Sequence, residues 1–349
     1  MEKSDILKKL PGTLLPWYYE NKRELPWRQT REPYHIWLSE IMLQQTRVEA
    51  VKGYYARFLQ VLPTIEALSQ CDDDQLHKLW EGLGYYSRVR NLKKAAIRIM
   101  EDHGGQFPRT FAEVLALPGI GDYTAGAICS IAFGLPTPAV DGNVLRVISR
   151  ITEDDTPIDL PACKKAVRER LAAIYPERAG DFPQALMELG ATLCGPNWKP
   201  RCEACPCKDF CGGYLHGTAE NFPVKLPKKG RKVQEMTVFI ASCGGRWALR
   251  KRPDEGLLAG LWQFPSVPGK LDTADAMAAA ESIGLKPREI HRSVERRHIF
   301  THIEWKMRGW YLEVTDCTGD FAWLTAEEIR RSAALPTAFR QFWEETEHV

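Results

Sequence analysis

Apolar side chains recur at helical spacing through the first two thirds of the chain. Tyr34–Gln45, Arg47–Leu59, Arg88–Asp102, Tyr123–Phe133, Cys163–Ala173 and Phe182–Leu193 each carry them three and four residues apart, with short Gly, Pro or Asp breaks between. This spacing predicts helices. Asn221–Lys232 is basic, holds two prolines and has no helical period, so it reads as an extended linker. Beyond it the texture changes. Thr237–Ser242, Trp247–Arg252 and Ile303–Val314 are rich in β-branched and aromatic residues and predict strands, while Thr273–Ile283 and Pro336–Glu345 predict helices. The pattern divides the chain into a mainly α region at 1–216, a linker at 217–233 and an α+β domain at 234–349.

Composition supports two domains with real cores, since 349 residues carry 44% hydrophobic side chains. The net charge of +2 says little about a nucleic-acid partner, so the placement of the basic residues matters more. The opening residues, MEKSDILKKLPG, lack the apolar run of a signal peptide, and no apolar stretch is long enough to span a membrane. A soluble cytoplasmic monomer is expected.

Ten cysteines are too few for a disulfide scaffold at this length. Four of them, Cys194, Cys202, Cys205 and Cys211, form C-x7-C-x2-C-x5-C. Thiolates are soft ligands, and four of them close a zinc or an iron–sulfur site. Structural zinc sites usually bring two CxxC-like knuckles, and this stretch has one, which favours a [4Fe–4S] cluster. Cys207 is an alternative ligand. Lys199, Arg201 and Lys208 are interleaved with the cysteines, as suits phosphate contact. Cys71, Cys129, Cys163, Cys243 and Cys317 stand apart and read as small core residues.

Leu117–Ala125 reads LPGIGDYTA between two helical patterns. Pro118 stops the first helix, Gly119 and Gly121 permit a tight turn, and the second helix opens with free backbone N–H groups that suit a phosphate. This is a helix-hairpin-helix pattern, centred on about residues 110–130. Many purely structural turns share a PGxG, but here Asp141 follows in PAVDGNV.

Together these features resemble the endonuclease III superfamily, and within it the MutY-type adenine DNA glycosylases. The resemblance rests on Leu25–Arg28 (LPWR), Trp37–Thr46 (WLSEIMLQQT), Gly82–Arg88 (GLGYYSR) and Val140–Val144 (VDGNV). One departure is the extra residue between the first two cluster cysteines. The resemblance implies a helix-hairpin-helix fold that extrudes adenine from double-stranded DNA, in an A:8-oxoguanine or A:G pair, and cleaves its bond to deoxyribose. Bacterial members are cytoplasmic and nucleoid-associated. A monovalent cation at the hairpin carbonyls is a further candidate.

That reaction needs an acid on the base and negative charge near the sugar. Glu40 matches the family's acid, and its apolar helix is a setting that raises a carboxyl pKa. On its own, a helical Glu is ordinarily a solvated surface group. Asp141 matches the carboxylate that stabilises the oxocarbenium ion or attacks it; an Asp before Gly-Asn also suits a turn or helix cap. Tyr123 stands where bifunctional members carry a Schiff-base lysine, so a monofunctional enzyme is expected. Arg23, Trp27, Arg28 and Gln184 match residues around the extruded base, with Leu43 and Met187 as apolar wall or ordinary core. Gln45 and Tyr85 match side chains that enter the duplex.

Arg252–Pro265 resembles the Nudix-like domain that ends such proteins and inspects 8-oxoguanine. The acidic run of a working Nudix hydrolase is missing, since Ala278–Gly284 carries one carboxylate, so a recognition module is expected. Phe300, Thr301 and His302 match the family's Phe-Ser-His loop, with the hydroxyl retained. The competing readings are an endonuclease III-like lyase, a non-catalytic lesion-binding protein and a Nudix nucleotide hydrolase.

Overall fold

A computed structural model describes residues 3–227 and 230–346. The chain forms two compact units. One comprises residues up to Ser69 and from Asn91 to Pro227; the other comprises Gln70–Arg90 with the chain from Lys228 onward.

The first unit is built of helices, and the expected ones lie within a few residues of their predicted ends. Pro33 opens the Pro33–Leu43 helix at a position where its missing N–H costs nothing. Tyr34 and every residue from Ile36 to Met42 are buried, so this helix runs through the core. Leu10, Leu14, Val147, Ile148, Phe182, Leu186 and Leu189 pack into a core shared by several helices. The segment read as linker is held on this unit as far as Pro227: Ile158 N donates to Val224 O at 3.1 Å, and Leu226 N to Asp159 Oδ2 at 2.9 Å.

The second unit is a seven-stranded mixed sheet with central order β3-β2-β1-β6-β5. The strands are β1 (Lys232–Cys243), β2 (Arg246–Lys251), β3 (Trp262–Gln263), β4 (Ser266–Pro268), β5 (Pro287–Ile299), β6 (Ile303–Val314) and β7 (Ala322–Thr325). β1 and β6 pair in parallel from Lys232↔Ile303 to Ser242↔Glu313, and the other pairs are antiparallel. Strand alternation divides the central residues between two cores. Val238, Ile240, Met307 and Tyr311 face the Thr337–Trp343 helix, while Phe239, Ala241, Trp310 and Leu312 face the Thr273–Ser282 helix. Burial on both faces explains why these strands read as near-continuous apolar runs.

Gln70–Arg90 is clamped to this sheet unit. Lys251 pairs with Asp74 at 2.8 Å, Leu335 N donates to Glu81 Oε1 at 2.8 Å, and Arg90 Nη1 donates to Ala259 O at 2.8 Å. Sequence order alone does not reveal this grouping. The isolated cysteines also divide: Cys71, Cys129 and Cys163 are buried as expected, but Cys243 is half-buried and Cys317 is exposed, because they lie at a strand end and in a surface loop. Among the described residues no helix is long and apolar enough to cross a membrane.

Candidate active site and DNA-binding elements

In the first unit a cavity of about 880 Å³ is lined by Glu40, Tyr123, Asp141, Arg23, Trp27 and Arg28. Leu43, Gln45, Gln184 and Met187 also line it, so the predicted pocket residues of this unit converge.

Glu40 sits in the buried Pro33–Leu43 helix and is 5% exposed. Burial pushes its carboxyl up to about 7; a hydrogen bond from Tyr123 opposes this, and the charge of Asp141 adds to it. Tyr123 donates its hydroxyl to Glu40 Oε2 at 2.5 Å and lies 3.3 Å from Met187 Sδ. Asp141 is the N-cap of the Gly142–Thr152 helix. Its Oδ1 accepts from Val144 N at 2.8 Å, and its Oδ2 accepts from Asn143 Nδ2 at 2.6 Å. Burial still raises its carboxyl, against those hydrogen bonds. Capping and cavity lining therefore coexist in one side chain.

A close backbone approach brings Tyr123 and Asp141 to the same cavity. A Cβ on Gly126, one helical turn beyond Tyr123, would meet Pro138 O at 2.3 Å. Only glycine lets the Asp122–Phe133 helix lie against the segment that delivers Asp141.

The structure adds one residue that sequence reasoning missed. Glu188 is fully buried and accepts from Arg23 Nε at 2.7 Å and from Arg28 Nη2 at 2.7 Å. Burial would raise its carboxyl, but the bonds from Arg23 and Arg28 outweigh burial and hold it below its ordinary value. The cavity wall thus carries a fixed carboxylate between two guanidinium groups. Gln184 lines the cavity but donates its amide to Gly180 O at 2.9 Å, toward the start of its own helix.

The hairpin takes the expected form. Gly119 has φ +76, where a Cβ would strike Asn91 Cβ at 2.5 Å, and Gly121 is the N-cap of the Asp122–Phe133 helix. Gln45 has φ +56, a left-handed conformation rare outside glycine. In the second unit Tyr85 shares that conformation, is half exposed, and its hydroxyl lies 3.2 Å from Thr301 Oγ1. Phe300 stacks edgewise on Trp305 with centroids 4.8 Å apart, while Thr301 is exposed beside it and His302 follows, also exposed.

Cys194, Cys202, Cys205, Cys207 and Cys211 line one further cavity, walled by Val147, Ile151 and Leu189. Arg150 Nη1 donates to Cys194 Sγ at 3.2 Å, as suits a thiolate ligand. Among the described residues no three His, Cys, Asp or Glu side chains close on a single metal ion. Soft sulfurs set around a space, with apolar walls and a cationic donor, fit a multi-atom cluster.

The helical fold with its glycine hairpin is that of a DNA glycosylase of the helix-hairpin-helix class. Residues 38–175 match the HhH-GPD superfamily of base excision DNA repair proteins, and residues 236–345 match a NUDIX domain. The adenine DNA glycosylase of Homo sapiens is 35% identical, over 95% of this chain and 72% of its own length. That of Schizosaccharomyces pombe is 30% identical, over 91% and 85%. That of Arabidopsis thaliana is 37% identical over 86% of this chain, which spans 56% of that relative. A solved thermostable thymine-DNA glycosylase is 32% identical with a TM-score of 0.55, over 61% of this chain and 97% of that one. A trapped endonuclease III–DNA complex, 23% identical with a TM-score of 0.53 over 62% and 99%, shares the fold. The chain belongs to the adenine DNA glycosylase family and is a base excision repair glycosylase.

Proposed function

We propose that the protein excises adenine paired with 8-oxoguanine or guanine, acting as a monofunctional glycosylase. The observation that carries this reading is Glu40. It is a buried carboxyl with a pKa of about 7, held by Tyr123, in the cavity that Asp141 also lines.

Adenine leaves poorly until its ring nitrogen N7 is protonated. Glu40 supplies that proton as general acid, and its raised pKa keeps it protonated near neutrality. Asp141, held by Val144 N and Asn143, stabilises the positive charge that develops on the sugar. Tyr123 orients Glu40 and, having no amine, forms no imine. Arg23, Arg28 and Glu188 form a rigid polar wall for the edge of the extruded base, with Trp27, Leu43 and Met187 as apolar surface.

The N-terminal amides after Gly119 and Gly121 hold a DNA phosphate. Gln45 and Tyr85 are the side chains that enter the duplex, consistent with their strained backbone. Phe300–His302 reads the partner base. Cys194, Cys202, Cys205 and Cys211 would hold a [4Fe–4S] cluster, which would order the loop carrying Lys199, Arg201 and Lys208 for contact with DNA.

The test is a panel of duplexes carrying adenine opposite 8-oxoguanine, guanine or thymine, or an oxidised pyrimidine. The first two are expected to lose adenine, and the others to stay intact. Release of the oxidised pyrimidine, or equal action on adenine opposite thymine, would refute the specificity.

A further inference from the structure

Cys243 and Cys317 take no part in the glycosylase chemistry. Cys243 ends β1 and is followed by Gly244 and Gly245, whose φ values of +55 and +75 make the two-residue turn into β2. Its position is therefore fixed by the hairpin. Cys317 lies in the loop after β6. That loop is pinned on both sides: Lys286 pairs with Asp316 at 2.9 Å, and Trp323 Nε1 donates to Thr318 O at 3.1 Å. The Cys317 thiol reaches back to Cys243 O at 3.6 Å, which sets the two cysteines side by side. Cys317 is exposed and Cys243 half-buried, so an oxidant meets Cys317 first.

We infer that Cys243 and Cys317 are a modification site, a dithiol that closes to a disulfide when the protein meets a peroxide. The Cys317 sulfur attacks the peroxide and becomes a sulfenic acid, releasing one water. The Cys243 sulfur then attacks that sulfenic sulfur, forms the S–S bond and releases a second water. Two thiols are oxidised by two electrons, and one peroxide is reduced to two waters. Both cysteines sit on backbone held by the hairpin and by the Asp316 and Thr318 contacts, and closure brings their Cβ atoms to about 3.5–4.5 Å. The bond would enclose β2 through β6, including the Phe300–His302 loop, and tie the end of β1 to the far end of β6.

The test treats the full chain with hydrogen peroxide, alkylates the remaining thiols and maps peptides by mass spectrometry. A 243–317 linked peptide, two hydrogens lighter than the sum of its parts and separated by dithiothreitol, is expected. Cys243→Ser should stop at a Cys317 sulfenic acid that dimedone traps. Cys317→Ser should leave Cys243 as a thiol at the same peroxide dose. The oxidised wild type should melt a few degrees higher than the reduced form, and Cys317→Ser should show no such shift. The proposal is overturned if wild-type Cys317 runs on to sulfinic acid with Cys243 still reduced. It is equally overturned if Cys317 links two molecules instead.

Discussion

Glu40, the acid we propose for the reaction, is also a cost to the fold. Its folded pKa of about 7 lies above the ordinary value of 4.5, so the folded state resists its ionisation. Stability from this group is therefore complete below about pH 4 and falls as pH rises toward 7. Glu40→Gln is expected to abolish adenine release. Denaturant unfolding at pH 8 should show that variant more stable by up to roughly 3 kcal/mol, with no gain at pH 4. Tyr123→Phe removes the hydrogen bond that lowers the Glu40 pKa, so the alkaline limb of the rate profile should move to higher pH. Asp141→Asn separates two roles. Asn caps helices about as well as Asp, so stability should hold while the rate falls by roughly 10²-fold or more. An unchanged rate would leave Asp141 as a cap alone.

Elements place these groups, and here the sequence is only partly legible. The Pro33–Leu43 and Asp122–Phe133 helices show in their apolar spacing, and the family motifs fall on them. Glu188 does not show. A single Glu at the end of ALME looks solvated, and its partners Arg23 and Arg28 lie some 160 residues earlier. Glu20, Glu24 and Glu32 lie beside those arginines in sequence and are nearer candidate partners, so nothing in the sequence singles out Glu188. β5 escapes the pattern because charged side chains outnumber apolar ones along it; Arg292 and Arg296 pair with Glu345, and one strand face stays exposed. Gly126 sets how closely two of these elements approach. Gly126→Val places a side chain against Pro138 O, so it should destabilise by about 1–3 kcal/mol and lower turnover more than DNA binding, because Asp141 is displaced. Thermal melts beside single-turnover rates would distinguish this from simple unfolding.

Across the whole molecule the tasks are divided between the two units. The helical unit carries the Glu40–Asp141 cavity and the cysteine-lined cavity; the sheet unit carries Phe300–His302 and holds Tyr85 through the clamped Gln70–Arg90 segment. A net charge of +2 leaves DNA affinity to local cations. Replacing Lys199, Arg201 and Lys208 with Ala should weaken binding equally to matched and mismatched duplexes, and reduce the salt slope by about one for each phosphate no longer neutralised. A purely specific loss would assign those residues to base reading instead. In the proposed reaction this cavity breaks the adenine–sugar bond with Glu40 as the acid and without an imine. The most direct test is a single-turnover reaction on a duplex with adenine opposite 8-oxoguanine, following free adenine and strand integrity together. Wild type should release adenine and leave the strand whole until hot alkali is added, and Glu40→Gln should release none. Strand scission during the reaction with a borohydride-trapped adduct, or full adenine release by Glu40→Gln, would contradict it.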